Sequence, residues 1–173
     1  MTPRADARRN RAAILTAATE AFAEHGPKAT TEQVAVRAGV AVGTVFRHFP
    51  TKDALIVAIM KESLQQLVAL AAGSTLFDFM TAVVDESVRT RTVVAALAHD
   101  LDVGDALGSL TGELQRLLDQ AQDAGAVRSE VQVDEVLALL TAAAQAAQQR
   151  AWSTDLRGRS LAIIFRGLAP AVS

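Results

Sequence analysis

The sequence predicts an all-α fold in two parts. The first is an N-terminal three-helix unit with a helix-turn-helix, and the second is a longer helical C-terminal domain. Three observations predict it. Half of the residues are apolar, yet only 4% are aromatic and tyrosine is absent. That alanine- and leucine-rich profile suits helices better than sheets. Apolar residues recur three and four apart along the chain, the period of a helix buried on one side. Between Thr30 and Phe49 two short helical patterns meet at a glycine.

In chain order, Ile14, Ala18 and Phe22 form an i, i+4, i+8 stripe on the first helix, which closes at His25-Gly26. A histidine there suits the negative end of the helix dipole. Thr31 is placed to N-cap the second helix, but the spacing Thr31 to Val34 lacks the Glu or Gln of a capping box. Val34, Ala35 and Ala38 share a face, and the small Ala35 lets another helix cross closely. Gly39 ends the helix because glycine tolerates the left-handed conformation, and Val40 turns inward. The third helix runs from about Val42 to Phe49, with Val45 and Phe49 facing inward. Pro50 stops it and Thr51 caps the next, with Lys52 in the first turn.

The fourth helix runs from Lys52 to about Leu70, with Leu55, Ile59 and Leu67 on one face. Gly73-Ser74 breaks the pattern and Thr75 caps the fifth helix. From Leu76 to Asp100 the pattern fits one broken helix, or two abutting near Arg89–Thr92. Two glycines and three aspartates mark Asp100 to Ser109 as a loop. A helix from Leu110 to Ala124 ends at Gly125, and a turn with a short extended piece leads to Val131. Two more helices complete the chain, from Val133 to Ala151 and from about Leu156 to Ala169, with Pro170 after the last. The expected domains are 1–52 and 53–173.

The segment Thr30–Phe49 carries the functional signal. The second helix of a helix-turn-helix enters the DNA major groove. Val42, Gly43, Thr44, Phe46, Arg47 and His48 are left for its outer surface. Thr44 can bond a phosphate or base edge, Phe46 can touch a thymine methyl, and Arg47 can pair with guanine or phosphate. Thr30, Thr31 and the free N–H groups beside them suit a phosphate, and so does Lys52. Periodicity alone fits an ordinary helical hairpin equally well. Charge favours the DNA reading. Residues 1–52 hold eight basic and four acidic side chains, a net +4. The remainder holds nine basic and fifteen acidic, a net −6. A basic end can meet phosphates while an acidic remainder stays clear of them. Arg4, Arg8, Arg9 and Arg11 read either as a basic arm reaching DNA or as a solvated terminus.

From Ile14 to Leu55 the chain resembles the N-terminal domain of the TetR family of transcriptional regulators. The resemblance rests on Ile14, Ala18, Phe22 and Gly26, then Thr30-Thr31, Val34-Ala35 and Ala38-Gly39-Val40. It continues through Gly43-Thr44-Val45-Phe46, His48-Phe49 and Lys52-Asp53-Ala54-Leu55. Ala124-Gly125-Ala126-Val127-Arg128 and Phe165-Arg166-Gly167-Leu168-Ala169-Pro170 resemble an SbtR-like C-terminal domain of an actinobacterial-type subgroup. The resemblance implies a homodimer that binds double-stranded, palindromic operator DNA, usually as a repressor, and releases it when a small-molecule effector binds. Family members often carry serine and a polar residue where this chain has Ala41 and Val42, and tyrosine where it has Phe46.

The resemblance also implies a ligand pocket between Met60 and Leu118. The residues expected to line it are Met60, Leu64, Phe77 and Met80, together with Val84, His99, Leu114 and Leu117. Each also fits ordinary core. The last two helices offer two seams, Val136, Leu140, Ala143 and Ala147 on one and Leu161, Ile164 and Leu168 on the other. They fit either a four-helix dimer interface or the monomer core. The family resemblance favours the dimer, whose two-fold symmetry would match a palindrome.

Other functions find little support. No cysteine is present, which excludes disulfides and thiolate chemistry. The three histidines, His25, His48 and His99, stand in no metal or triad spacing. Gly104 and Gly108 form no phosphate loop. No enzyme, metal site or cofactor is therefore expected. No apolar run reaches the roughly 18 residues of a membrane span, and no signal core lies beyond the polar N-terminus. The expected location is the cytoplasm.

Overall fold

A computed structural model describes residues 3–89 and 104–170. Among them are eight α-helices and no strand. They are α1 (Pro3–His25), α2 (Thr31–Ala38), α3 (Val42–His48), α4 (Lys52–Ala71), α5 (Leu76–Arg89), α6 (Gly104–Asp123), α7 (Val133–Gln149) and α8 (Thr154–Leu168). The chain divides into compact units of residues 1–62 and 63–173. The division falls inside α4 rather than at its start, because Leu55 and Ile59 are buried in the first unit's core.

In the N-terminal unit α1 packs on α2 and α3, and α2 packs on α3. Ile14, Ala18, Val34, Ala35, Val45 and Phe49 are buried together, with Phe22, Ala38 and Val40 half-buried around them. Alanines at 17, 18, 21 and 35 keep the helices close.

Two expectations here need correction. Thr30, not Thr31, is the N-cap of α2. Its hydroxyl accepts from the Gln33 N–H while the Gln33 side chain accepts from the Thr30 N–H, a complete capping box. The expected start was one residue late and so paired Thr31 with Val34. The arginines near the N-terminus form no loose arm either, because α1 begins at Pro3 and Arg8, Arg9 and Arg11 lie within it.

In the C-terminal unit α5 is central and packs on α6, α7 and α8. The alanines of α7 allow this. Ala143, Ala144 and Ala147 are buried, and small side chains let the α5 backbone approach. Ser87 is the one buried polar residue among the described residues. Its Oγ lies 2.7 Å from the Val84 carbonyl and 3.2 Å from that of Ala144, so its proton is satisfied between α5 and α7. Arg157 ties α8 to α5. Its Nε donates to Asp85 at 2.6 Å and another nitrogen donates to the Trp152 carbonyl at 2.7 Å. Arg116 of α6 donates to the carbonyl of Ala71, the last residue of α4. Such carbonyls have no partner within their own helix.

The stretch expected as a loop up to Ser109 is partly helical. α6 begins at Gly104, with Asp105 in its first turn, where an acid suits the dipole. Gly108 lies inside the helix and cost the pattern its continuity. The break or junction expected near Arg89–Thr92 falls largely outside the described residues, as does His99. α4 is long and apolar enough to cross a membrane by length and composition. Its apolar stripe Leu55, Ile59, Leu64, Leu67 and Ala71 is buried in protein, however, and Asp53, Lys61 and Glu62 interrupt it.

Candidate nucleic-acid interface

The turn between α2 and α3 is set by backbone hydrogen bonds. Gly39 sits at φ 67°, ψ 31°, in the left-handed region. The Val40 N–H donates to Ala35 O at 3.0 Å and the Gly39 N–H to Val36 O at 3.2 Å, a Schellman closure. Val40 then packs on the core, which fixes the direction in which α3 departs. α3 has no side-chain N-cap, since Ala41 precedes it, and it ends where the Phe49 N–H donates to Val45 O.

Burial sorts the expected contacts of α3. Gly43, Phe46 and Arg47 are exposed, with Phe46 at 44%. Thr44 and His48 are half-buried. Val42 is half-buried like them and packs in part against the core cluster at the start of the helix. Beside α3, Thr30 is exposed and Thr31 half-buried at the N-terminus of α2. Glu32 stands there too. The helix-terminal N–H of its own residue, then the Thr30 and Thr31 hydroxyls, hold its carboxyl below the usual range. Lys52 opens α4 with its ammonium 5.5 Å from the centre of the Phe22 ring.

Ion pairing divides the basic side chains of this unit. Arg9 pairs with Asp6 one turn away. Arg37 pairs with Glu24 and reaches Glu20 at 3.9 Å, pinning α2 to α1. The Arg37 guanidinium holds the Glu24 carboxyl below its ordinary range, with hydrogen bonding the larger cause and charge the next. Among the described residues, Arg8, Arg11, Lys28 and Arg47 meet no carboxylate. A count of charges in the sequence could not separate these two sets, because the Arg37 partners lie on another helix.

The N-terminal unit therefore presents a short helix set by a glycine turn, with Gly43, Phe46 and Arg47 exposed and Arg47 meeting no carboxylate among the described residues. Comparison with known proteins agrees. The family model for bacterial regulatory proteins of the tetR family matches residues 14–59. The model described as transcriptional regulator SbtR-like, C-terminal domain, matches residues 71–170. The chain belongs to the TetR family.

That family is one of transcriptional regulators that bind DNA, not of enzymes. A TetR transcription regulatory protein from Mycobacterium vanbaalenii is 36% identical, with a TM-score of 0.72, over 98% of this chain and 100% of that one. The TetR transcriptional regulator SCO0520 from Streptomyces coelicolor is 29% identical, with a TM-score of 0.67, over 94% and 99%. The HTH-type transcriptional repressor Rv3405c of Mycobacterium tuberculosis is 39% identical over 94 residues, 54% of this chain and 49% of that protein. The chain spans about half the length of the curated relatives it matches.

In this TetR-family chain, most of the residues expected to line a ligand pocket are buried. Met60, Leu64, Met80, Val84, Leu114 and Leu117 are each 1% exposed or less. Phe77 is half-buried, with its ring 4.6 Å from that of Phe165. The expected dimer seams face inward. Val136, Leu140, Ala143, Ala147, Leu161 and Leu168 are buried within the single chain, and Ile164 is half-buried. The outer faces of these helices carry Leu139 on α7 and Leu156 and Ile163 on α8, the last 64% exposed. The sequence pattern marks both helices as apolar but does not say which stripe the protomer itself consumes. Among the described residues no cluster of acids and histidines is arranged to hold a metal.

Proposed function

We propose that this protein is a transcriptional repressor that binds a palindromic operator as a homodimer and leaves it when a small ligand binds the C-terminal unit. The reading rests on one observation. α3 is held by a Schellman turn with Phe46 and Arg47 outward, and Arg47 meets no carboxylate among the described residues. In this reading residues 1–52 carry the DNA-binding domain and the rest the ligand-binding and dimerisation domain. Thr30, Thr31, Gly43, Thr44, Phe46, Arg47, His48 and Lys52 meet the duplex. Arg47 reads a base edge and the threonines and Lys52 hold phosphates. The repressor name of a 39% identical relative supports the direction of regulation. A protein with this task works in the cytoplasm.

The dimer part of the proposal places the partner against the outer faces of α7 and α8. Leu139, Leu156 and Ile163 remain available there after the protomer has filled its core. In this reading the ligand enters among side chains around Met80 and Leu114, which are closed to solvent in this conformation.

A gel-shift assay with the DNA upstream of the protein's own gene tests the reading. The expected result is a retained fragment that weakens steeply with salt. No retained fragment from that region, or from a random-sequence pool, overturns it. Sedimentation of Ile163→Asp tests the dimer. Monomers are expected, and an unchanged dimer moves the interface elsewhere.

A further inference from the structure

We propose that Arg11 is a positioning residue for α3, setting its angle through Phe49 rather than touching DNA itself. The inference rests on the DNA-binding reading above. Arg11 lies mid-way along α1, is exposed, and meets no carboxylate among the described residues. Its guanidinium carbon stands 5.5 Å from the centre of the Phe49 ring. A cation at that distance is attracted by the negative face of the ring. Phe49 is the C-cap of α3, is 4% exposed, and its N–H closes the helix onto Val45. Whatever holds this ring holds the end of the helix that carries Arg47.

A second contact runs the other way across the same corner. Lys52, three residues after Phe49, lays its ammonium over Phe22 of α1 at 5.5 Å. α1 therefore gives one cation to the α3–α4 corner and receives one from it. Between the two lie Pro50 and Thr51, and the Thr51 hydroxyl accepts from the Ala54 N–H to start α4. Directional cation–ring contacts on both sides of the corner restrain its direction against α1.

The test uses the full-length protein and the duplex it selects from a random-sequence pool, with a scrambled duplex as control. Binding is measured by fluorescence anisotropy over about 50 to 200 mM salt. Arg11→Met keeps the apolar stem and removes the charge. It is expected to weaken binding to the selected duplex about two- to fivefold, the range of an exposed cation–ring contact. Binding to the scrambled duplex and the salt slope should stay unchanged, and Arg11→Lys should restore affinity. Phe49→Leu should weaken binding similarly, and the double variant should be no worse than the weaker single. A slope lowered by about 0.9 in Arg11→Met makes Arg11 a phosphate contact and overturns the proposal. Unchanged affinity in Arg11→Met, or single effects that multiply in the double variant, also overturn it. If Phe49→Leu fails to fold, the Met and Lys variants and the salt slope still decide. Failure of the unaltered protein to select any duplex overturns the DNA-binding reading itself, a result distinct from all of these.

Discussion

Two helices in different units of the molecule end with the same hydrogen bonds and different residues. α2 in the N-terminal unit closes with Val40 N–H to Ala35 and Gly39 N–H to Val36, with glycine at φ 67°. α7 in the C-terminal unit closes with Trp152 N–H to Ala147 at 3.0 Å and Ala151 N–H to Gln148 at 3.4 Å. There the left-handed residue is Ala151, at φ 46°. The first end is made from local chemistry that any chain with this sequence would favour. The second is held in a disfavoured backbone region by its surroundings, including the half-buried Trp152 and the Arg157 bond to its carbonyl. The contrast belongs to these two ends and not to whole units, since α6 in the C-terminal unit also closes on a left-handed glycine, Gly125. Local signals make the first end, while tertiary packing holds the second.

The largest expected effect tests the packed half of that contrast. Leu114 is 1% exposed and sits among the residues expected to line a pocket. If it is close-packed core, Leu114→Ala should lower unfolding free energy by about 2–5 kcal/mol in urea melts. A loss below about 1 kcal/mol would mean that the site is already open, because transfer and cavity terms both vanish where solvent or a ligand can enter.

This contrast also explains how much was legible in the sequence. The glycine at 39, the proline at 50 and the cap at Thr51 are local, so the turn, α3 and the start of α4 came directly from them. The buried Val45 and Phe49 came from four-residue spacing. That Val42 is half-buried against the core could not be read from spacing, since it depends on where the other helices of the unit lie. The dimer seams on α7 and α8 failed to face outward for the same reason. A helix rich in alanine and leucine offers two apolar stripes, and only the packing of α5 decides which is consumed. The pairing of Arg37 with Glu24, thirteen residues away, is likewise a tertiary fact.

Arg47→Ala comes next in size and tests the exposed half. Specific binding should weaken by about 1–3 kcal/mol if the side chain reads a base, with little change in melting temperature. Equal loss on specific and scrambled duplexes would make it a backbone contact only.

The two helix ends should then respond with opposite signs. Gly39→Ala places a methyl group on a left-handed residue and should cost about 1–2 kcal/mol. No atom lies within 4 Å of the added carbon, so the cost is backbone strain rather than a clash. Ala151→Gly relieves the same strain and should gain about 0.5–1 kcal/mol after the added freedom of the unfolded chain is deducted. Loss of stability in Ala151→Gly would show that the methyl group contributes packing beyond its strain.

The smallest effect is a pH dependence confined to the N-terminal unit. Glu24 has its carboxyl lowered by Arg37, so the folded state binds its proton more weakly than the unfolded state does. The stabilisation is therefore complete above the ordinary glutamate value and is lost as pH falls through the lowered folded value. The pair is exposed, so solvent and salt screen most of its worth. Glu24→Gln should accordingly flatten the acid limb of the stability profile slightly and leave neutral pH little changed. Hydrogen exchange in α2 should report the same loss of the pin to α1, with faster exchange in the variant. An acid limb identical in the variant and the unaltered protein would show that the packing of Ala35 and Val34 on α1 holds α2 without help from charge.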